Sequence, residues 1–373
     1  MARMHQAFVA VKRNRGAAGV DGVSIQMFEA NLEQNLHALM ADLKQRGHYV
    51  SQPLRRVYVP KGKGQQRPLG IPTVRDRVAQ AVIKSLLEPI FDPLFSDFSF
   101  GFRPGRNQHQ AIETIIHFRD DGYRWVVDAD ISACFDNISH QLVIDLIAQR
   151  VADGNILNIV RQFLTAAVLE DGFLQAVDKG TPQGGVISPL LANIVLHQLD
   201  LRLTQAEVRF VRFADDFVLL CRSKQQAEQA LAFVDETLQS HLSLQLSLAK
   251  SSVTSFQRGF DFLGFRFSAI YISIRPKSVE KLKDGIRAVT IRSHNLDQHT
   301  LHTVNRIIAG FANYFAAPFA NVNSQLHRLD QWVRKRIRCM KFKRISRFDN
   351  RRFLIKHLRR LGLLSFCDFV HQP

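Results

Sequence analysis

The segment Arg209-Phe210-Val211-Arg212-Phe213-Ala214-Asp215-Asp216-Phe217-Val218-Leu219-Leu220-Cys221 constrains the chain more than any other stretch. Two apolar runs, rich in aromatic and β-branched residues, flank an adjacent pair of aspartates. This reads as a β-hairpin with two carboxylates at its tip. Tight hairpin turns favour Asn-Gly or Asp-Gly, because their central positions need positive φ. Asp-Asp serves such a turn badly, and adjacent like charges repel unless a cation holds them. One reading is a solvated turn. The other is a metal site in which hard oxygen ligands hold Mg²⁺ against a phosphate.

Charge bears on that choice. Lys and Arg number 50 against 33 Asp and Glu, a formal net charge of +17. The excess is concentrated: residues 332–360 hold thirteen Lys or Arg and one acid, Asp349. A stripe of this kind points to a polyanionic partner, nucleic acid before membrane. With 373 residues, the chain suits two or three subdomains. Cys134, Cys221, Cys339 and Cys367 form no C-x-x-C pair, so neither a zinc site nor a disulfide framework is indicated. No apolar run approaches a membrane span or a signal-peptide core, which predicts a soluble, cytoplasmic chain with no membrane partner.

In chain order, residues 3–12 read as a short helix. A Gly-rich basic loop, Arg13 to Gly22, follows, and Ser24 is expected to cap a helix running to about Arg46. Val57 to Pro72 reads as strand, basic turn, strand. Across that turn Lys61 and Arg67 can converge on one anion, whereas Lys63 is better explained as solvated. Asp76 is expected to cap a helix through Phe91. Ser99-Phe100-Gly101-Phe102-Arg103-Pro104-Gly105-Arg106 is an aromatic and arginine loop suited to stacking or to backbone contact with a strand, with Arg103 and Arg106 as the contacts. Gln108 to Arg119 is helical, and Arg124 to Ile131 is a strand ending in carboxylates. Helices are expected at 139–150 and 155–168. Ser188 should cap a helix from Pro189 to about Leu203. After the aspartate hairpin come a helix over 224–240, short strands near 253–257, 260–267 and 270–274, and helices near 276–292, 297–315, 323–340 and 350–361.

Asp130, Asp215 and Asp216 are thus three strand-end carboxylates that one antiparallel sheet can gather. In a strongly basic chain such a cluster calls for Mg²⁺. Two ions about 4 Å apart suit an in-line phosphoryl displacement, so the chemistry indicated is nucleotidyl transfer.

These residues carry a resemblance. The chain resembles the reverse transcriptases of bacterial group II introns, the intron-encoded maturases. Phe213-Ala214-Asp215-Asp216 is similar to the family's Tyr/Phe-Ala-Asp-Asp, and Asp130-Ile131-Ser132-Ala133-Cys134-Phe135-Asp136 to its first catalytic motif. Gly180-Thr181-Pro182-Gln183-Gly184-Gly185 matches the motif opening the template-side helix. Pro60-Lys61 through Arg67 to Pro72 resembles the fingertip, Ser99 to Arg106 the family's Ser-Tyr-Gly-Phe-Arg-Pro-Gly-Arg, and Phe262-Leu263-Gly264-Phe265 the close of the palm. Leu329 to Arg338 resembles the maturase region. Cys134 stands where an aromatic is common, and Phe213 where Tyr is commoner.

The resemblance implies an α+β right-hand polymerase with fingers, an antiparallel-sheet palm and a helical thumb. Residues 1–267 would be fingers and palm: 1–50 an N-terminal extension, about 51–120 mainly fingers and about 121–267 mainly palm. Residues 268–373 would be a helical thumb or maturase-like RNA-binding domain. Carried over by position, Asp130, Asp215 and Asp216 are the catalytic, metal-binding carboxylates, with the Ile131 carbonyl as a further ligand. Lys61 and Arg67 hold the incoming triphosphate. Gln183 lies near the incoming nucleotide, and Lys250 near its phosphates as a proton donor. Phe135 lies under the sugar and excludes a 2′-hydroxyl. Arg334, Lys335, Arg336 and Arg338 face nucleic acid. The implied activity is Mg²⁺-dependent addition of dNTPs to a DNA primer on an RNA template, with two Mg²⁺ or with Mn²⁺ in their place, and with intron maturase activity. Two other readings stay open: an RNA-binding splicing cofactor for group II intron RNA, and a host-defence subunit acting with CRISPR adaptation proteins. Without an endonuclease-like tail, cleavage of a DNA target by this chain alone is not expected.

Overall fold

The structure, a computed structural model, describes residues 1–62, 65–247 and 249–370, and the side chains of 61, 62 and 65 lie outside that description. The chain divides into two compact units, Met1–Val253 and Thr254–Pro373.

The first unit opens with helices Ala2–Asn14, Ile25–Ala30 and Leu32–Lys44. Ser24 caps as expected, its Oγ accepting from the Met27 amide at 3.2 Å. The single helix expected to follow is broken at Asn31, whose φ of −123° and ψ of 41° are not helical. Helix Val74–Phe91 runs through the core. Its cap is Thr73 and not Asp76, because the Asp76 carboxylate is already taken. It accepts from the Tyr49 hydroxyl at 2.6 Å, the Thr73 hydroxyl at 2.8 Å and the Gln52 amide at 3.0 Å.

One four-stranded sheet has the order Gln65–Ile71, Leu54–Gly62, Val168–Glu170, Phe173–Gln175. Its last two strands fall where the sequence pattern suggests the end of a helix and a loop beyond it. The helix stops at Leu164, and Asp171-Gly172, at φ 50° and 84°, makes the tight turn that the Asp-Gly pair signals.

The second sheet positions the site. Its order is Arg209–Phe213, Asp216–Cys221, Trp125–Asp130, Ser252–Ser255. Antiparallel pairing sets Trp125 opposite Cys221 and ends with Asp130 opposite Asp216. Phe217 to Cys221 are all buried. Helix Lys224–Thr237 packs on the two central strands, and helices Gln108–Asp120 and Ser188–Gln205 pack on Arg209–Phe213. Strands covered on both faces read as unbroken apolar runs, as Phe217 to Cys221 does. Ser188 lies inside its helix instead of capping it, and its hydroxyl donates to the Pro182 carbonyl at 2.8 Å.

In the second unit a small sheet, Phe260–Phe262, Phe265–Phe267 and Ile272–Ile274, packs with helices Pro276–Val289, Gln298–Phe315 and Asn323–Phe342. Phe265 meets Phe315 with ring centroids 5.0 Å apart. The Gln325 side chain bonds both the amide and the carbonyl of Ile274, tying helix to strand. The helix expected at 350–361 is two short pieces, Asp349–Arg352 and Ile355–Arg360, separated at the buried Phe353. Among the described residues, no helix is long and apolar enough to cross a membrane.

Candidate active site

The hairpin connection is Ala214-Asp215, and Asp216 is the first residue of the following strand, opposite Phe213. The turn is therefore not Asp-Asp. Ala214 takes the positive φ, 59°, at the position where a two-residue turn ordinarily uses glycine. Such a backbone costs an L-residue about 1–2 kcal/mol, so neighbouring contacts must hold it.

Arg212 holds it. Its side chain is fully buried, with paired bonds to the equally buried Asp200 carboxylate (Nε to Oδ1, 2.8 Å; Nη2 to Oδ2, 2.5 Å). Nη1 donates to Asn193 Oδ1 at 2.9 Å and to the Ala214 carbonyl at 3.0 Å. Asn193 in turn donates to the Gly101 carbonyl at 2.8 Å. Gly101 lies so close to the turn that a Cβ there would stand 2.2 Å from the Ala214 nitrogen, which only glycine tolerates. Reading the sequence missed this network. Its available signal was an Arg inside an otherwise apolar strand.

Opposed residues of an antiparallel pair share a face, so Asp130 and Asp216 are side by side, with Asp215 at the turn next to them. Burial pushes the Asp215 carboxyl above the ordinary carboxylate range, and the charge of Asp130 adds to the shift. A backbone hydrogen bond, Arg67 and Arg212 oppose it. Burial pushes the nearby Cys134 thiol up to about 12, so this residue packs as a neutral group. Lys250 is exposed, yet its Nζ lies 2.8 Å from Asp130 Oδ2. Arg67 is exposed on its strand and reaches Asp215 electrostatically. The side chain of Lys61, and Lys63 altogether, lie outside the described residues.

On the other flank, Ala133 turns at φ 43° into the short helix Cys134–Asn137, where Phe135 is half-buried against the core. This helix is bonded to the Gly180–Gly185 segment: the Thr181 amide donates to the Phe135 carbonyl at 2.6 Å, and Gln183 Nε2 reaches both Asp136 oxygens at 3.0 Å. The Gly180 carbonyl takes a 2.7 Å bond from His140 Nε2. Gly70 of the fingertip hairpin donates to the Gln183 carbonyl at 2.9 Å. Gly184, at φ 118°, approaches the Gly70 carbonyl so closely that a Cβ would lie 2.8 Å from it. Phe135, Gln183 and the base of the hairpin carrying Arg67 are thereby one connected wall. Ile131 is buried at the end of the strand, and its neighbours Asp130 and Ser132 are bonded through their backbones to Ser247 and Gln245.

Arg103 does not offer its charge to a ligand. It is buried, donates to Asp92 Oδ1, the Asp92 carbonyl, the Ser96 carbonyl and the Ser99 carbonyl, and lies over the Phe95 ring. The acceptors are mainly backbone carbonyls, which leave no trace in sequence. Arg106 is half-exposed, bonded to Asp97 and stacked over Phe100. In the second unit, Arg338 is buried on the Phe353 carbonyl and Arg336 is bonded to Thr290. Arg334 donates to the Asp330 carbonyl one turn back. Of these four, Lys335 is the exposed one. The outward cations of this unit are instead led by Arg347, Arg351, Arg352, Lys356, Arg359 and Arg360.

Among the described residues, no group of three or more His, Cys, Asp or Glu side chains is gathered closely enough to hold a metal ion. Yet the donors are all hard oxygens, a desolvated carboxylate stands beside a second one, and the Lys250 ammonium already rests on Asp130. This chemistry fits a hard divalent cation.

An antiparallel sheet with carboxylates at the ends of its central strands, walled by a fingertip hairpin, defines a template-directed polymerase palm. Residues 59–267, more than half of the chain, match the family model for reverse transcriptase (RNA-dependent DNA polymerase), and residues 279–362 match the group II intron maturase-specific domain. The chain belongs to the group II intron-type reverse transcriptases, a family that uses divalent metal ions. It is 35% identical over 286 residues to protein YkfC of Escherichia coli (strain K12), covering 66% of this chain and 75% of that one. It is 40% identical over 200 residues to the group II intron-encoded protein LtrA of Lactococcus lactis subsp. cremoris, covering 53% of this chain and 33% of LtrA. An apo telomerase from Candida tropicalis, truncated from its C-terminal domain, shares the fold at a TM-score of 0.50 and 12% identity, over 62% of this chain and 56% of that one.

Replacing Arg212 by Met leaves Asp200 charged, buried and uncompensated. The expected loss is about 3–5 kcal/mol, read from denaturant unfolding. A loss within about 0.5 kcal/mol, the scale of ordinary surface changes, would mean that the pair supports nothing.

Proposed function

We propose that the chain extends a DNA primer on an RNA template with dNTPs, and that Asp130, Asp215 and Asp216 hold the ions on which extension depends. The observation that carries this reading is the register that sets Asp130 beside Asp216, with Asp215 at the adjoining turn. Divalent ions, two Mg²⁺ with Mn²⁺ as a substitute, supply a lowered pKa for the primer hydroxyl and charge neutralisation at the departing pyrophosphate. In this reading the protein's own groups orient and neutralise. The Ile131 carbonyl adds an oxygen ligand. Arg67, with Lys61, holds the triphosphate, and Lys250 leaves Asp130 to donate a proton to the pyrophosphate. Gln183, locked on Asp136, fixes the wall against which the incoming base pair forms, and Phe135 fills the space that a 2′-hydroxyl needs.

The match of residues 279–362 to the maturase-specific domain favours a second activity at a different surface: binding of group II intron RNA to promote its splicing. The exposed cations of the second unit suit that role.

Asp215→Asn removes a charge and almost no volume, so primer extension in Mg²⁺ should fall to background. Because burial holds the native carboxyl above its unfolded value, ionising it costs stability. That cost is absent below the ordinary carboxylate range and complete above the native value. In metal-free buffer at neutral pH, the Asn variant should therefore unfold at no lower temperature than wild type, and any gain should vanish below about pH 4. Extension within a few-fold of wild type would refute the assignment. Phe135→Ala should raise the use of rNTPs relative to dNTPs in single-nucleotide extension, and an unchanged ratio would place the sugar gate elsewhere. Replacing Lys335, Arg347, Arg351 and Arg352 by Gln should flatten the slope of log affinity for RNA against log salt, by about 0.7–0.9 for each phosphate that is no longer neutralised. The same slope in this variant would show that the face is merely solvated.

A further inference from the structure

Phe102 is 56% exposed, at φ 57°, in a loop that is otherwise fixed on every side. A bulky residue seldom adopts positive φ, and where one does, the surrounding structure must over-determine it. Here it does. On one side, Gly101 presses against the Ala214 nitrogen, and its carbonyl is held by Asn193. On the other, Arg103 is buried under four hydrogen bonds. Before it, the Phe100 amide donates to the Arg212 carbonyl, and the Arg212 amide to the Phe98 carbonyl, both at 2.9 Å. The loop is thus an added edge on the strand that leads into the catalytic turn. Its one large unburied ring has its centroid 6.4 Å from that of Phe213, the residue before the turn. Rigid backbone, a strained residue and an exposed aromatic coincide next to the catalytic carboxylates.

We infer that Phe102 is a stacking platform for a nucleobase of the primer strand at its 3′ end, an assignment that rests on the polymerase reading above. The sheet order gives the side. Asp216 begins a central strand; Asp130, with Phe135 and Gln183 beyond it, lies on one flank, and Phe213 with Phe102 on the other. The nucleotide wall occupies the first flank, so the primer terminus, which must meet the nucleotide at the carboxylates, occupies the second. A ring held there binds any base by its π-face and selects none, as a polymerase requires. The fixed loop also means that little freedom is lost when the base arrives.

The test uses the full chain and an RNA template–DNA primer duplex without dNTPs. Affinity is measured with the normal duplex, with an abasic nucleotide at the primer 3′ end, and with an abasic nucleotide opposite it in the template. Phe102→Gly relieves the positive φ, so it should unfold at or above the wild-type temperature. It should nevertheless bind the normal duplex about tenfold more weakly, the scale of one base–aromatic stack. Phe102→Tyr should bind like wild type. The abasic primer should weaken wild type and leave the Gly variant nearly unaffected, whereas the abasic template should weaken both equally. Equal primer penalties in wild type and Phe102→Gly would overturn the platform, and coupling confined to the template nucleotide would overturn the primer assignment. If the wild-type chain binds no such duplex, the polymerase reading itself fails and takes the platform with it. Normal duplex binding with equal penalties condemns the platform alone.

Discussion

The buried Arg212–Asp200 pair is the interaction on which the site depends. Both side chains are inaccessible to solvent, so each gives up hydration that a surface pair would keep. Desolvation of that kind often cancels the Coulombic gain, and an apolar pair of the same volume is frequently as stable. What an apolar pair cannot supply is a directed donor. The guanidinium has five, and four are used here: two on Asp200, one on Asn193 and one on the Ala214 carbonyl. The last sets the carbonyl of a residue in an unfavourable backbone region, one position before Asp215. Through Asn193 the same group fixes Gly101. The network therefore determines where two loops, remote in sequence, meet the carboxylates.

A second clamp works mainly through the backbone. Phe135, Asp136 and Ile138 bond to Thr181, Gln183 and Gly180, and Gln183 bonds onward to Gly70. Three separate segments share one short ladder, so displacing any of them disturbs the others. Preorganised groups of this kind matter most where charge develops on a phosphoryl group, since their orientation is complete before the reaction begins.

Much of this was legible in the sequence. The apolar runs around Asp215 and Asp216 specify strands, and the structure has them. The contact of Lys250 with Asp130 has no sign in the sequence, since the two are 120 positions apart. The illegible part has a common physical cause. Arg103 and Arg338 look like surface cations because their partners are mainly carbonyl groups, which every residue carries. Asp76 looks like a cap because its real partners, Tyr49 and Gln52, are more than twenty positions away. Ala214 shows no sign of positive φ, because the Arg212 guanidinium that holds its carbonyl is itself aimed by Asn193 and Asp200 on the preceding helix. Sequence patterns report periodicity and local propensity well. They report long-range pairing of polar groups poorly, and polar pairing is what tunes a site.

The cations around the carboxylates are sorted by burial, and this sorting keeps the site usable. An unpaired guanidinium beneath Asp215 would be a permanent internal counter-ion and would compete with any divalent ion for that charge. Asp200 reduces this competition by pairing with Arg212 in a buried geometry, although the Arg212 charge still favours the ionised Asp215 carboxylate. Lys250 and Arg67 are of the other kind. Both are exposed, and an exposed ion pair is worth about 0–1 kcal/mol. A lysine ammonium on a flexible stem can leave Asp130 when a divalent ion or a phosphate offers a stronger interaction. The buried arginine shapes the turn without occupying the site, and the exposed cations occupy it without blocking it. In the proposed reading the buried Asp215 carboxyl is a ligand for a hard cation, and its desolvation is a cost that the fold bears in the absence of one.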